Sequence, residues 1–244
     1  MPSDPLRTID LWFCEFQTPD PYQNLLSSEE QARANRFRFP EDREFFIYCR
    51  SMLRRLLSRY LSVPAQDITF KLGPRGKPRI PSSDIVFNTS HSGTMFACAI
   101  STGAELGADI EQIRVVQDIE SMAKHFFAPN EVARLLSLPP EQKQAAFFEC
   151  WTRKEAVIKA TGEGVYRRLD SFEVSFGPAA ECRLERLDSE IRPQWQIQSF
   201  QPKPDYIAAL ASSAPWNPVS LYRIAGTDLE NLSSEIPPRS ASRS

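Results

Sequence analysis

The stretch Leu106–Ile113, LGADIEQI, carries two acidic residues in a run that is otherwise mostly apolar. In a β-strand, side chains alternate between two faces, so Asp109 and Glu111 project together on the face opposite Ala108 and Ile110. Residues two apart on one face lie roughly 6–7 Å from each other, close enough for both carboxylates to approach one hard cation such as Mg²⁺. A solvated polar face on an edge strand is the alternative interpretation, and this pattern alone fits both.

A second polar pattern lies further along the chain, in AAFFECWTRKEAVIKATGEGV at 145–165. Residues four positions apart share one face of a helix, so Trp151, Glu155 and Lys159 are expected to project from nearly one line. Gly162 is suited to end this helix. The alternative is a solvent-exposed Glu155–Lys159 ion pair, which would contribute about 0.2–0.5 kcal/mol.

A third pattern, FNTSHSG at 87–93, predicts a strand that runs into Ser90 and His91 at a turn. A Ser–His hydrolase pair is not favoured, because adjacent residues of an extended chain point in opposite directions. The other histidine, His125, falls in an apolar helical segment. A structural, hydrogen-bonding His91 remains the alternative to a functional one.

The segment 25–61 is rich in arginine. Its arginines are Arg33, Arg36, Arg38, Arg43, Arg50, Arg54, Arg55 and Arg59. From Arg50 onward no acidic residue balances them, and the following loop GPRGKPRI adds Lys77 beside glycines that let backbone approach a ligand. A local anion site fits this pattern, since arginine forks match phosphate oxygens. A solvated cationic helix face is the alternative.

The order of elements suggests two similar halves and an α+β fold. The first half is predicted to hold a strand at Ile9–Phe16, two helices within 25–61 with a break near Pro40, and two strands joined around SHSG. For the second half, which opens with the strand at Leu106, the predicted elements are helices at Asp118–Phe127, Asn130–Ser137 and Glu141–Thr161 and strands near Ser171–Phe176, Trp195–Phe200 and Tyr206–Ala211. The Ser/Pro-rich segment 226–244 is expected to be a disordered tail.

Composition excludes several classes of protein. A chain of 244 residues with 41% hydrophobic and 25% charged residues can bury a full core. Its net charge of −2 provides no global field for nucleic acid or an anionic membrane. The five cysteines form no CxxC pair, which favours a reducing cytoplasm. No apolar run approaches the roughly 20 residues that span a bilayer, and with no spare hydrophobic helix we expect a monomer.

Taken in order, RGKPRI, FNTSHSG, LGADIE and FFECWTRKEAVIKATGEGV resemble the successive signature motifs of the Sfp-type 4′-phosphopantetheinyl transferases. The last motif, at 151–164, is highly specific, whereas the DxE pair alone is not. The resemblance covers about 9–215 and is strongest over 76–164. It implies two α/β subdomains related by a pseudo-twofold axis, with the active site in the cleft between them.

The resemblance also implies an activity and a division of the chain. The family moves the phosphopantetheinyl arm of coenzyme A to a serine of an apo acyl, peptidyl or aryl carrier protein and releases adenosine 3′,5′-bisphosphate. Such carriers serve fatty-acid, polyketide and nonribosomal-peptide synthesis. The expected subdomains are 1–105, with helices and loops that bind coenzyme A, and 106–225, with the metal-binding strand and the catalytic helix.

The family's site residues can be transferred to matching positions. The expected ligands of Mg²⁺, or of Mn²⁺ in its place, are Asp109, Glu111 and Glu155. Glu155 is also the candidate base for the carrier serine, and Lys159 is expected to meet the pyrophosphate and the leaving group. The expected contacts to the nucleotide phosphates of coenzyme A are Arg50, Lys77, Ser90 and His91, with Arg33 and Arg36 as weaker candidates. Glu30 stands where a basic residue is expected.

Two other functions stay open on the sequence. One is a catalytically silent protein that binds coenzyme A. The other is a different metal-dependent phosphoryl enzyme, such as a nuclease or a phosphatase, which would also use clustered carboxylates. The segment 116–127, with its KHFF, is either an apolar contact for the carrier or a buried helix stripe.

Overall fold

The structure is a computed structural model that describes residues 7–17, 22–164, 167–177, 181–187, 195–213 and 215–226. Its helices are α1 (Ser28–Ala34), α2 (Pro40–Leu61), α3 (Ile119–Phe126), α4 (Pro129–Ser137) and α5 (Pro140–Thr161). Its strands are β1 (Arg7–Glu15), β2 (Lys71–Leu72), β3 (Pro78–Arg79), β4 (Ile85–Ser92), β5 (Met95–Thr102), β6 (Leu106–Gln112), β7 (Phe172–Val174), β8 (Leu184–Leu187), β9 (Gln196–Phe200), β10 (Tyr206–Ser212) and β11 (Trp216–Ala225). The predicted α+β class is confirmed.

Local sequence signals set the helix boundaries. Ser27 caps α1 in a reciprocal capping box with Glu30. Pro40 occupies the first turn of α2, where its missing N–H costs nothing, so the predicted break between the helices is confirmed. Gly162 ends α5 with φ of 68°, a left-handed conformation that glycine adopts without strain.

Two sheets form the frame of the molecule. One has the strand order β11-β1-β5-β4, and the other has the order β6-β10-β9. Helix α2 covers one face of the first sheet through residues such as Tyr48, Met52 and Leu56. Helix α5 covers one face of the second sheet, where Val157 packs with Ile207. The two long helices, α2 and α5, therefore pack against different sheets.

The apolar face of β6 joins the two sheets. Leu106, Ala108 and Ile110 are buried in one cluster with Leu11 of β1 and Ala99 of β5. Burial of this face between the sheets leaves the other face, which carries the two carboxylates, turned toward α5. Only 4% of the Asp109 surface is exposed, so the alternative of a solvated edge strand is wrong.

Gly107 sets how closely β6 approaches α5. A methyl group placed on Gly107 would lie 2.1 Å from the carbonyl oxygen of Ala156 and 2.3 Å from the backbone nitrogen of Ala160. Both are backbone atoms of a packed helix, so side-chain rotation cannot relieve the contact. The absence of a side chain at this position brings the acidic strand directly onto the helix that bears Glu155 and Lys159.

The turn between β4 and β5 lies later than the sequence suggests. We expected Ser90 and His91 at the turn, but β4 continues through Ser92. Gly93, with φ of 53°, forms the turn, and the backbone N–H of Thr94 donates to the Tyr206 hydroxyl. Ser90 and His91 therefore lie inside the strand, with their side chains on opposite faces.

The last described strand was not predicted from the sequence. β11 pairs in parallel with β1, at the far edge of the first sheet. The predicted division into 1–105 and 106–225 assigns this strand to the second half, although it completes the sheet of the first. The division and the pseudo-twofold axis stay predictions, and 227–244, most of the expected tail, falls outside the described residues.

Helix α3 supports the buried interpretation of the KHFF segment. Phe127, which caps its end, is 3% exposed and stacks on Phe147, while Phe126 packs edge-on against Trp151. The apolar side chains thus point into the core beside α5. None of the helices in the described part of the chain is both long and apolar enough to cross a lipid bilayer.

Replacing Gly107 with alanine should lower the free energy of unfolding by about 3 kcal/mol, because the added methyl group must push β6 away from the backbone of α5. Gly73→Ala is the matched control, since its methyl group would meet the Lys77 carbonyl oxygen at 3.3 Å, a tight contact that a shift of a few tenths of an ångström in this short, largely exposed hairpin relieves. The control should change stability by less than about 1 kcal/mol. Urea denaturation of both variants measures the difference, and equal stabilities would contradict the close approach.

Candidate active site

Three side chains converge where β4, β6 and α5 meet. The Lys159 ammonium donates to Asp109 Oδ1 at 2.6 Å and to Ser90 Oγ at 2.8 Å. The Ser90 hydroxyl in turn donates to the same Asp109 oxygen at 2.7 Å. This closed triangle links both sheets to the helix and places a cation and an anion in direct contact.

The stripe predicted on α5 opens toward this triangle. Trp151, Glu155 and Lys159 are half-buried, whereas the residues between them are buried. All three line a cavity of about 620 Å³ with His125 and Phe126 of α3 and residues beyond the end of α5. The Lys159 ammonium pairs with Asp109 across the junction, which departs from the simple picture of a solvent-exposed ion pair along the helix.

The acidic residues of the site oppose one another electrostatically. Burial raises the pKa of Glu155, and the neighbouring Asp109 carboxylate raises it further, against the opposite effect of Lys159. Burial also raises the pKa of Glu111, although a 2.7 Å hydrogen bond from the Ser92 hydroxyl stabilises its ionised form. The charges of Asp109 and Glu111 both act on Glu155, and the charge of Asp109 acts on Glu111, so an added cation would relieve the repulsion.

The donor set of the site fits a hard divalent cation. Asp109 Oδ2 is buried, and in the described part of the chain it has no hydrogen-bond partner, which is costly for a carboxylate oxygen. The available donors are carboxylate oxygens, the ligand type that Mg²⁺ prefers. The described residues contain no fully assembled metal centre of three or more acidic, histidine or cysteine side chains. Lys159 instead supplies the positive charge beside Asp109.

His91 faces a second cavity, on the other side of β4. This cavity has a volume of about 480 Å³ and is lined by Arg33, Arg50, Thr89, His91 and four phenylalanines among others. Phe45 meets the imidazole edge-on at 5.5 Å. Ser90 points the other way, into the triangle with Asp109, so the expected contact of Ser90 and His91 with one phosphate group stays a prediction that this geometry does not favour.

Glu30 forms an ion pair with Arg50, one of the two arginines that line this second cavity. Its carboxylate accepts from Arg50 Nε at 2.8 Å and from Arg54 Nε at 2.7 Å. Burial acts to raise the pKa of Glu30, but the two guanidinium groups hold it below its usual value. Arg50 thus lines the cavity with part of its charge balanced by Glu30, and its expected contact with a nucleotide phosphate stays a prediction.

Lys77 lies at the C-terminal end of α5 and ties three segments together. Its ammonium donates to the carbonyl oxygens of Leu106 at 2.9 Å and Ala160 at 3.2 Å, and to the Glu105 carboxylate at 3.1 Å. Burial lowers the pKa of Lys77. In this arrangement Lys77 joins the start of β6 to the end of α5, and its expected contact with nucleotide phosphates stays a prediction.

Sequence reasoning missed two residues beside the site. Asn88 Oδ1 accepts the backbone N–H of Ala108 at 2.8 Å, and Ser92 contacts the next carboxylate, Glu111. The signal was present in the sequence, because every second position of NTSHS from Asn88 is a small polar residue. Period-two alternation of a strand places these residues on one face together with Ser90.

Comparison with known proteins agrees with the family that the sequence motifs suggest. Residues 14–103 match the family model described as 4′-phosphopantetheinyl transferase, N-terminal. Residues 105–211 match the model of the 4′-phosphopantetheinyl transferase superfamily. The two matches meet between β5 and β6, close to the boundary at Glu105 that the sequence suggested.

Curated relatives extend over most of the chain. It is 39% identical to the 4′-phosphopantetheinyl transferase HetI of Nostoc over 219 residues, 86% of this chain and 90% of the relative. It is 34% identical to psf-1 of Bacillus pumilus, over 78% of this chain and 80% of the relative. Identity to Sfp of Bacillus subtilis is 29%, over 85% and 91%. The chain belongs to the 4′-phosphopantetheinyl transferase family, and its Sfp-type resemblance is confirmed.

Replacing Lys77 with methionine should lower the free energy of unfolding by about 1–3 kcal/mol, because the carbonyl oxygens of Leu106 and Ala160 lose a shared donor. Arg79→Met is the control. Arg79 lies on the same hairpin with an exposed side chain that reaches Glu105 only at 3.7 Å, so its removal should change stability by less than about 0.5 kcal/mol. Thermal unfolding without coenzyme A checks both, and an unchanged midpoint for Lys77→Met would contradict the structural tie.

His91 should titrate below the usual histidine pKa of about 6.5, because burial and the nearby Lys159 charge disfavour its protonated form. Since the unfolded chain then binds a proton that the folded chain resists, stability falls as the pH drops through the unfolded pKa. NMR titration in the presence of a chelator, with His91→Gln to assign the signal, measures this pKa. A value at or above 6.5 would show that the imidazole is not desolvated.

Proposed function

We propose that this protein transfers the 4′-phosphopantetheinyl arm of coenzyme A to a serine of an apo carrier protein, leaving adenosine 3′,5′-bisphosphate. The observation that carries the proposal is the triangle of Ser90, Asp109 and Lys159, with Glu155 on the same helix stripe. A phosphoryl transfer needs fixed positive charge and a proton acceptor at one place. Membership of the family supports the same reaction.

Asp109, Glu111 and Glu155 are the residues that would hold Mg²⁺, with Mn²⁺ as a substitute. Asp109 Oδ2, which is buried without a hydrogen-bond partner among the described residues, supports this assignment, as does the repulsion that Asp109 and Glu111 exert on Glu155. When bound, the divalent cation supplies electrostatic stabilisation for the charge that develops on phosphoryl oxygens. The chain's own contribution is to keep the three carboxylates partly desolvated, with Glu155 near enough to feel the charges of Asp109 and Glu111.

Glu155 is suited to take the proton of the attacking serine. In the reaction the serine oxygen forms a bond to the β-phosphorus, and the bond from that phosphorus to the oxygen bridging toward the adenosine bisphosphate breaks. The serine proton moves to the Glu155 carboxylate, whose raised pKa makes it a better acceptor. Lys159 lies one helical turn away and would offset the charge on the leaving phosphate.

The cavity at His91 is the proposed place for the nucleotide part of coenzyme A. Its phenylalanines offer apolar faces, and Arg33 and Arg50 offer donors for phosphate oxygens. A neutral imidazole at His91 can still donate one hydrogen bond and would gain a proton beside a phosphate dianion. For Lys77 to contact the phosphates, its hydrogen bonds to the carbonyl oxygens of Leu106 and Ala160 would first have to break.

The proposed partner is an acyl, peptidyl or aryl carrier protein of fatty-acid, polyketide or nonribosomal-peptide synthesis. Family carriers present an acidic helix beside their serine, and the arginines near the His91 cavity could dock such a surface electrostatically. We further propose that the protein acts as a cytoplasmic monomer without nucleic-acid or membrane partners, in keeping with its net charge of −2. All five cysteines are free thiols, as a reducing compartment would leave them.

Incubation with coenzyme A, Mg²⁺ and a panel of apo carrier proteins, followed by intact-mass measurement, tests the activity. We expect a phosphopantetheine-sized mass gain on at least one carrier. Glu155→Gln keeps the shape of the side chain but cannot accept the proton as a carboxylate does, so it should lower the rate by about 10²–10⁴-fold. Removal of the divalent cation with a chelator should also abolish the gain.

The same experiment separates the alternative functions. Binding of coenzyme A with no mass gain on any carrier would identify a catalytically silent binder. Release of inorganic phosphate or cleavage of nucleic acid without a carrier would instead identify another phosphoryl enzyme. Full activity of Glu155→Gln would remove Glu155 from the role of base and leave the assignment of family unaffected.

A further inference from the structure

The edges of the two sheets meet at β4 and β6. Each strand lies at the end of its own sheet, so its outer backbone groups need partners outside that sheet. Side chains of β4 supply partners for β6. Asn88 Oδ1 accepts the N–H of Ala108 at 2.8 Å, and Ser92 Oγ accepts the N–H of Gln112 at 3.1 Å.

These two hydrogen bonds bracket the acidic pair. Ala108 immediately precedes Asp109, and Gln112 immediately follows Glu111. The register of β6 against β4 is therefore fixed on both sides of the carboxylates. A one-residue slip would turn both acidic side chains to the opposite face, into the apolar cluster between the sheets.

Ser92 differs from Asn88 because it also contacts a carboxylate. Its hydroxyl accepts from the Gln112 backbone and donates to Glu111 Oε2 at 2.7 Å. A serine hydroxyl has one proton to donate and can accept at its lone pairs, so one small group serves both bonds. Ser92 is only 8% exposed. Its short side chain holds the Glu111 carboxylate at a fixed position relative to the backbone of β6, to which Glu111 belongs.

We propose that Ser92 is a positioning residue for the metal site: it orients the Glu111 carboxylate toward the cation and thereby sets the affinity for divalent metal. The inference rests on the proposed function, in which Glu111 is a metal ligand. Partners that orient ligating carboxylates typically change metal affinity about 10–100-fold when they are removed. Ser90 has a different place, since it contacts Asp109 and Lys159 directly.

Titration of the full chain with Mn²⁺ tests the proposal without substrate. Binding is measured as the loss of the free-ion signal in electron paramagnetic resonance. Ser92→Ala should weaken binding about 10–100-fold. Ser92→Thr keeps the hydroxyl and should bind nearly as wild type does. In transfer assays Ser92→Ala should need more Mg²⁺ for half-maximal rate, and its rate should recover toward wild type at saturating Mg²⁺.

Asn88→Ala is the matched control. It removes a hydrogen bond from the same strand face without touching a carboxylate, so it should lower thermal stability and leave Mn²⁺ affinity close to wild type. Equal weakening of metal binding by Asn88→Ala and Ser92→Ala would overturn the proposal, because both residues would then act only through the fold. Wild-type affinity in Ser92→Ala would also overturn it.

Two further outcomes remain distinguishable. If the wild-type chain binds no Mn²⁺, the metal assignment fails and the role of Ser92 fails with it, while transfer to a carrier can still be scored by mass. If Ser92→Ala does not fold, Ser92→Cys replaces it. A thiol is a weaker donor and acceptor than a hydroxyl, so Ser92→Cys should bind Mn²⁺ more weakly than the wild type and Ser92→Thr, but still measurably. Wild-type affinity in Ser92→Cys would count against the proposal.

Discussion

The contact of β6 with the backbone of α5 at Gly107 is the constraint on which the site depends. A strand and a helix usually keep side chains between them, but here a missing side chain lets backbone lie on backbone. Asp109, two residues further on, then reaches Lys159 directly. A larger spacing would separate the carboxylate from the ammonium and leave two partly buried charges to be compensated by water.

Burial of these charges is tolerated because each has partners from a different element. β4 contributes hydroxyl and amide groups, β6 contributes carboxylates, and α5 contributes both a carboxylate and an ammonium. An isolated charge of this kind would be neutralised by a shift in its pKa. The raised pKa of Glu155 and the Asp109 Oδ2 atom, which lacks a hydrogen-bond partner in the described part of the chain, indicate that the compensation is incomplete, which is the state expected of groups reserved for a ligand.

Local patterns predicted the elements of the fold, and motif resemblance predicted the family. The helix stripe of Trp151, Glu155 and Lys159 follows from spacing alone, and the face shared by Asp109 and Glu111 follows from alternation. The parallel pairing of β11 with β1 could not be predicted in this way, because it joins the two ends of the described chain without a local signal. The same holds for the contact of Glu30 with Arg50, which depends on how α1 packs on α2.

Alternation along β4 has a consequence for how a substrate would lie. His91 faces the arginine-containing cavity and Ser90 faces Asp109, so one strand separates a proposed nucleotide cavity from the cavity lined by Trp151 and Glu155. A molecule with its nucleotide in the first and its arm in the second must cross the strand edge at Asp109 and Lys159. The linking pyrophosphate is the part that would lie there, which is where charge develops during transfer. If the proposed function holds, the junction of the two sheet edges would bring the carboxylates and the scissile bond together.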